Sequence, residues 1–293
     1  MVKSGTATRR PSQQNDFVEK VELTSFTTAD ELARAAASAW LEEIEKDNRA
    51  GKLHCVALSG GRIAQKFFAA AAEQAGARKT SFAGVHFFWA DERCVPPNDP
   101  ESNFKAANKL LFAPLKIPEK QIHRIRGEEP LETAVKMANE EIQRIVSNLG
   151  ERSPEHFRDC GSTRRASNEN ANDGASLAAR EARALPSLDL VFLGMGEDGH
   201  VASLFPDAPA EIIRCAAPFL AVENSPKPPP WRISLSYAAL AAARQVWVLV
   251  SGPGKEKALR DSLGSGGRTP LGRVLQMRQK TLIFRQIEAD KKI

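Results

Sequence analysis

The sequence contains no apolar run approaching the roughly 18 residues that a membrane span needs. Its first residues, Met1 to Asp16, are polar and carry no apolar stretch of the kind a secretory signal has, so a cytoplasmic location is expected and a membrane partner is not. Cysteine is scarce: Cys55, Cys94, Cys160 and Cys215 lie far apart with no C-x-x-C pair, which argues against both a zinc knuckle and a disulfide framework. Cys55 and Cys94 fall in or just after apolar runs and are expected to be buried or half-buried free thiols. No dense basic block is present either. The balance of 41 Lys and Arg against 36 Asp and Glu gives +5, which suits a phosphorylated small molecule as well as it suits nucleic acid. A Walker A loop and a Gly-x-Ser-x-Gly elbow are both missing, which removes two common phosphate and acyl chemistries.

What is present has the composition of an ordinary globular protein, 42% hydrophobic and 26% charged, with 293 residues to build a core. Met1 to Asp16 reads as a disordered tail, followed by one domain over residues 17–293. Within it, Phe17–Thr24 reads as an edge strand, and Thr28-Ala-Asp-Glu31 is a capping box opening a helix. Leu53–Leu58, Val85–Ala90, Leu188–Leu193 and Gln245–Val250 are short apolar runs of the kind buried on both faces of a parallel sheet. Amphipathic segments follow most of them, including Ile63–Ala75, closed by Gly76, and Glu128–Leu149. Alternating strands and helices predict an α/β fold, a three-layer α/β/α sandwich on a mostly parallel, Rossmann-like sheet. Glu151 to Ser187 interrupts this rhythm. Its six acidic and six basic residues cancel, and it reads as an inserted, partly disordered loop with a helix over Ala175–Leu185.

Four strand ends carry polar clusters: Ser59-Gly60-Gly61-Arg62, Asp91-Glu92-Arg93, Asp198-Gly199-His200 and Gly252-Pro253-Gly254-Lys255. A parallel sheet gathers such ends along one edge, where open α/β sheets bind ligands. Ser59-Gly60-Gly61 between a strand and a helix suits an anion, because free N–H groups and the helix N-terminus face one point. Arg232 and Lys255 flank predicted strands and can neutralise a phosphate, the first through a planar fork and the second as a point charge. His200 titrates near neutrality and is the candidate general base, with Asp198 to orient it. Gly194 to Gly199 fits the letters of the dinucleotide fingerprint, yet the Asp198-Gly199-His200 cluster does not read as the start of a nucleotide-binding helix. Asp91, Asp198 and His200 lack a recognisable metal-ligand spacing, so no metal is expected.

Five motifs stand in order along the chain: Ser59 to Arg62; Trp89 to Pro96 with Ser102-Asn103; Gly194 to Pro206; Arg232 to Ser236; and Gly252 to Lys255. In these the chain resembles the glucosamine-6-phosphate isomerase/6-phosphogluconolactonase family, on its lactonase side, from about Phe17 onward. The resemblance implies hydrolysis of 6-phospho-D-glucono-1,5-lactone to 6-phosphogluconate, without an obligatory cofactor; a monomer or weak dimer is expected. It makes His200 the general base, Arg93 the arginine of a D-E-R motif, and Arg232 and Lys255 phosphate-side cations. Three departures stand out. Ile63-Ala64 occupies a usual Thr-Pro, Val201 a usual Thr, and 151–187 is longer than the family's connection. The isomerases of the same family carry Tyr where Arg93 stands and Glu where Phe205 stands. A sugar-phosphate sensor is the remaining alternative, but no helix-turn-helix is evident to serve one.

Overall fold

The computed structural model describes residues 20–150, 185–264 and 268–287. The tail, the helix expected over Ala175–Leu185 and nearly all of the insertion expected over 151–187 lie outside these residues, as does Cys160.

Six strands form one parallel sheet: β1 (Val21–Phe26), β2 (His54–Leu58), β3 (Val85–Trp89), β5 (Leu190–Gly194), β8 (Gln245–Val250) and β9 (Thr281–Gln286), in the order β1-β9-β8-β5-β2-β3. Of the strands read as continuous apolar runs, β2, β5 and β8 sit inside it and β3 closes one edge. All five residues of β2 are buried, whereas β1 at the edge is largely exposed. From the β2–β5 pair the chain runs outward in opposite senses, through β3 on one side and through β8 and β9 on the other. Right-handed crossovers then place helices on opposite faces. α1 (Ala29–Arg49) and α2 (Arg62–Arg78) pack together on one face. α7 (Lys255–Leu263) and α8 (Pro270–Met277) pair in the crossover between β8 and β9. The expected α/β/α arrangement is therefore present, and no helix among the described residues is long and apolar enough to cross a membrane.

Local signals set several boundaries. Thr28 and Glu31 make the full capping box at the start of α1. α2, however, runs through Gly76 to Arg78, because Lys79 supplies the left-handed C-cap at φ 56°. Ser102 caps α3 (Asn103–Ala107), which continues through a π-turn over Asn108–Phe112. The long helix α4 spans Leu131–Gly150. Cys55 is buried and Cys94 half-buried, both as free thiols.

A second sheet was not foreseen from the sequence. β4 (Asp91–Arg93), β7 (Arg232–Leu235) and β6 (Phe219–Val222) form an antiparallel trio that α4 packs against. Arg93 stands opposite Arg232 and Asp91 opposite Ser234 in its register. Two short helices, α5 (Ala210–Arg214) and α6 (Tyr237–Ala242), lie on either side of β6 and β7 in the chain.

The core beneath α1 and α2 centres on Trp40. Its ring meets Phe67, Phe82, Phe87 and Phe192 with centroids 5.5–6.3 Å apart. Its indole N–H donates to His54 Nε2 at 3.2 Å, and the other nitrogen of that histidine pairs with Asp47 Oδ2 at 2.8 Å. Trp40→Ala should lower unfolding stability by about 3–5 kcal/mol. Trp40→Phe, which keeps a ring but orphans His54 Nε2, should cost about 1–3 kcal/mol. Urea denaturation with an unchanged slope would measure both, and an unshifted midpoint for Trp40→Ala would contradict this description of the core.

Candidate active site

The carboxyl ends of β2 and β5 open into a cavity of about 520 Å³ at the point where the chain's direction through the sheet reverses. Ser59, Gly60, Gly61, Arg62, Asp91, Arg93, His200, Arg232 and Lys255 all line it. Asp198 does not line it but holds His200 from behind. All ten candidate residues are thus brought to one place. The sequence reading did not assign Asn103, Lys66, Lys227 or Glu197, which also line the cavity. Lys227 lies in the Pro-rich bend Pro226–Pro230 and Asn103 in one of the five ordered motifs, but neither carries a chemical signal of its own.

The two turns at the heart of the cavity are fastened to each other. Ser59 Oγ–H donates to Phe192 O at 2.7 Å, tying the end of β2 to β5. Gly60 is required by packing, since a Cβ there would stand 1.7 Å from Asn103 Oδ1. Gly61 is the N-cap of α2 and provides no side-chain cap, and no acidic residue occupies the helix's first turn. The N–H groups of that turn and the positive end of the helix dipole are left for an anion.

His200 follows β5 on a tight turn. A Cβ at Gly196 would fall 2.0 Å from His200 Nδ1, so only glycine leaves room for the ring. His200 Nδ1 lies 2.5 Å from Asp198 Oδ1. Burial pushes the Asp198 carboxyl up, but its bonds with His200 outweigh this and hold it below the usual carboxylate range. An ionised carboxylate only accepts, so Nδ1 carries the proton and Nε2 has a free lone pair. Burial pulls the imidazole below its ordinary pKa and Lys227 adds to this, while Asp198 and Asp91 oppose it. Near neutral pH the ring is therefore a neutral base. Phe205 packs on it, with ring centroids 4.7 Å apart.

Six cations line the cavity, Arg62, Lys66, Arg93, Lys227, Arg232 and Lys255, against two carboxylates, Asp91 and Glu197. Lys66 is paired with Asp30 and Arg93 with Glu101. Among the described residues the other four form no ion pair. Arg232 is 3% exposed and is held by backbone carbonyls: Nη2 donates to Lys227 O at 3.0 Å and Pro228 O at 3.1 Å, and Nε to Pro229 O at 3.2 Å. Its guanidinium lies over the Phe205 ring that also covers His200. Burial lowers its pKa, yet a guanidinium stays charged. Lys255 opens α7, and burial and the nearby Arg62 lower its pKa against the pull of Glu197. Arg232 thus stands with His200, Asp91 and Arg93, while Lys255 stands with Arg62. Lys227 acts on both groups. Among the described residues no cluster of three or more His, Cys, Asp or Glu forms a metal site.

An α/β protein with a histidine–aspartate pair and an unpaired cationic cavity at its switch point is the class this geometry defines. The profile described as "Glucosamine-6-phosphate isomerases/6-phosphogluconolactonase" matches residues 27–284, and the chain belongs to that family. A protein of Mycobacterium tuberculosis named 6-phosphogluconolactonase is 33% identical over 195 residues, covering 65% of each chain. One of Streptomyces coelicolor with the same name is 30% identical over 237 residues, covering 80% of each. The solved structure of 6-phosphogluconolactonase from Thermotoga maritima superposes with a TM-score of 0.69 at 25% identity, over 92% of this chain and 100% of that one.

The histidine–aspartate pair predicts a pH signature. Asp198 raises the His200 pKa, so Asp198→Asn should move the acidic limb of kcat/KM to lower pH. The loss of the correct tautomer should cut kcat by about 10²–10⁴-fold at the same time. A pH–rate profile of the variant would check both, and a limb displaced to higher pH would contradict the assignment.

Proposed function

We propose that this chain hydrolyses 6-phospho-D-glucono-1,5-lactone to 6-phosphogluconate in the oxidative pentose phosphate pathway. The observation that carries the reading is a neutral His200, backed by Asp198, on the wall of a cavity with four unpaired cations. The reading is supported by the names of the relatives at 30–33% identity. It is also supported by Phe205, which places an aromatic ring on His200 where an isomerase would need an acid.

The phosphate is received by the Ser59-Gly60-Gly61 turn, the N-terminus of α2, Arg62 and Lys255, with Lys227 reaching from the Pro-rich bend. The lactone carbonyl then lies toward His200. Arg232, which the family resemblance put beside the phosphate, stands at this carbonyl end, because it shares the Phe205 ring with His200. His200 Nε2 takes a proton from water as the water oxygen bonds to C1. The carbonyl π electrons move to the exocyclic oxygen, which Arg232 stabilises as it becomes anionic. Collapse re-forms the carbonyl and breaks the bond from C1 to the ring oxygen. That oxygen leaves with the proton held on His200, giving the open-chain hydroxyl and a carboxylic acid that ionises. A preformed site of fixed charges makes this faster than in water, because the charges need no reorganisation.

Lactone made freshly in solution hydrolyses spontaneously, so the test is acceleration above that rate, followed as proton release. Wild-type protein should accelerate it, and His200→Ala should lose about 10²–10⁴-fold in kcat. No acceleration by the wild type, or an unchanged rate in the variant, would refute the proposal; ammonia released from glucosamine 6-phosphate would favour the isomerase reading. Lys255→Ala and Arg62→Ala should each raise KM for the phosphorylated lactone about 10- to 100-fold, the worth of one charged hydrogen bond. Neither should change the slow turnover of unphosphorylated gluconolactone.

A further inference from the structure

The donors of the cavity outnumber its acceptors. Four unpaired cations and the N–H groups at the start of α2 all donate. That suits a phosphate and a developing oxyanion. It does not suit the middle of a sugar, whose hydroxyls also need acceptors for their protons. The carboxylates Asp91 and Glu197, His200, the hydroxyls of Ser59 and Ser251, and the amide of Asn103 supply acceptors.

Asn103 is 4% exposed, and its position is fixed through both backbone and side chain. It opens α3, and its backbone N–H donates to Glu92 Oε1 at 2.8 Å. Glu92 is itself buried and also accepts from Phe104 N at 2.9 Å, Arg93 N at 2.8 Å and Ser102 Oγ at 3.1 Å. The Asn103 side-chain amide is oriented by its nitrogen: Nδ2 donates to Asp91 O at 2.9 Å, with a longer contact to Asp91 Oδ1 at 3.4 Å. Turning the amide over would set two carbonyl oxygens against each other, so the assignment of its ends follows from the network. Oδ1 is thereby directed over Gly60, on the cavity side, and among the described residues no group donates to it. Oδ1 opens onto the cavity with both lone pairs free to accept. The donor comes from what fills the cavity.

We propose that Asn103 is a specificity-determining residue, its Oδ1 accepting a hydrogen bond from one ring hydroxyl of the bound sugar lactone between the phosphate and the carbonyl. This rests on the function proposed above. Asn103 spans the two halves of the site, touching Gly60 of the phosphate turn and Asp91 beside the base. A hydroxyl at that point is read in one orientation only. A sugar lacking it leaves the amide oxygen dry and unpaired, which is how a polar site rejects a deoxy analogue more strongly than an apolar one does.

The test uses the full-length protein and the 6-phospholactones of glucose, 2-deoxyglucose, 3-deoxyglucose and 4-deoxyglucose. With wild-type protein, one deoxy position should lower kcat/KM about 10- to 100-fold while the others cost much less. Asn103→Ala should lose a similar factor on the parent lactone and almost nothing further on that one analogue, so discrimination falls to within about threefold. Asn103→Ser serves as a second variant should alanine disturb α3. A wild-type enzyme that hydrolyses the parent lactone but treats all three deoxy lactones alike would overturn the inference without help from any variant. Equal losses in Asn103→Ala on the parent and on every analogue would overturn it too, because that pattern marks a purely structural role. Failure to accelerate the parent lactone at all would instead strike the proposed function.

Discussion

Two neighbouring parallel strands, β2 and β5, carry the whole arrangement. They lie side by side in the sheet, yet the chain departs from them in opposite directions, so no crossover helix closes the gap above their carboxyl ends. The bond from Ser59 Oγ to Phe192 O fixes how the two turns sit across that gap. One turn starts α2 and supplies backbone donors. The other supplies His200. Each is of use only because the other faces it at a set distance, and the absence of a side chain at Gly60 and Gly196 is the steric condition for that.

The cavity is electrostatically unfinished. A buried cation without a counter-charge is costly, and proteins seldom tolerate it without a reason. Here Arg232 is partly compensated by three carbonyl groups of the bend before β7, which satisfy its donors without cancelling its charge. The small antiparallel sheet brings Arg232 opposite Arg93, an unfavourable pairing in isolation. Asp91 and Glu101 relieve it only in part, through Coulomb attraction to Arg232 and a direct pair with Arg93. The remaining compensation is available from an anionic ligand, and its binding draws on stored electrostatic energy. The same logic explains His200: burial and nearby Lys227 keep it neutral, and the one carboxylate it bonds directly fixes its tautomer.

Much of this was legible in the sequence because it is encoded locally. Apolar runs such as His54–Leu58 and Gln245–Val250 can only be central strands, and Thr28 with Glu31 can only start a helix. Nine of the ten candidate residues lay in clusters after predicted strands, and a parallel sheet collects such ends; Arg232 opens β7 and is brought in by the antiparallel trio. What escaped reading depends on partners remote in the chain. Asp91–Arg93 is a charged tripeptide that looks like a loop; it becomes a strand only because β7 lies beside it. Gly76 looked like a helix stop, but Ala77 and Arg78 continue the helix before Lys79 turns the chain. Asn103 has no periodic or charge signal at all. Its place is defined by the carbonyl of Asp91 and by the absence of a side chain at Gly60.

The central claim is that one sugar phosphate spans the cavity, with its phosphate at the α2 end and its C1 carbon at His200. A crystal structure of the protein with bound 6-phosphogluconate tests it most directly. The account predicts the phosphate at the N–H groups of the Ser59–Gly61 turn, within reach of Arg62 and Lys255, and the C1 carboxylate beside His200 Nε2 and Arg232. A phosphate seated on Arg232, or a product molecule bound outside this cavity, would contradict it.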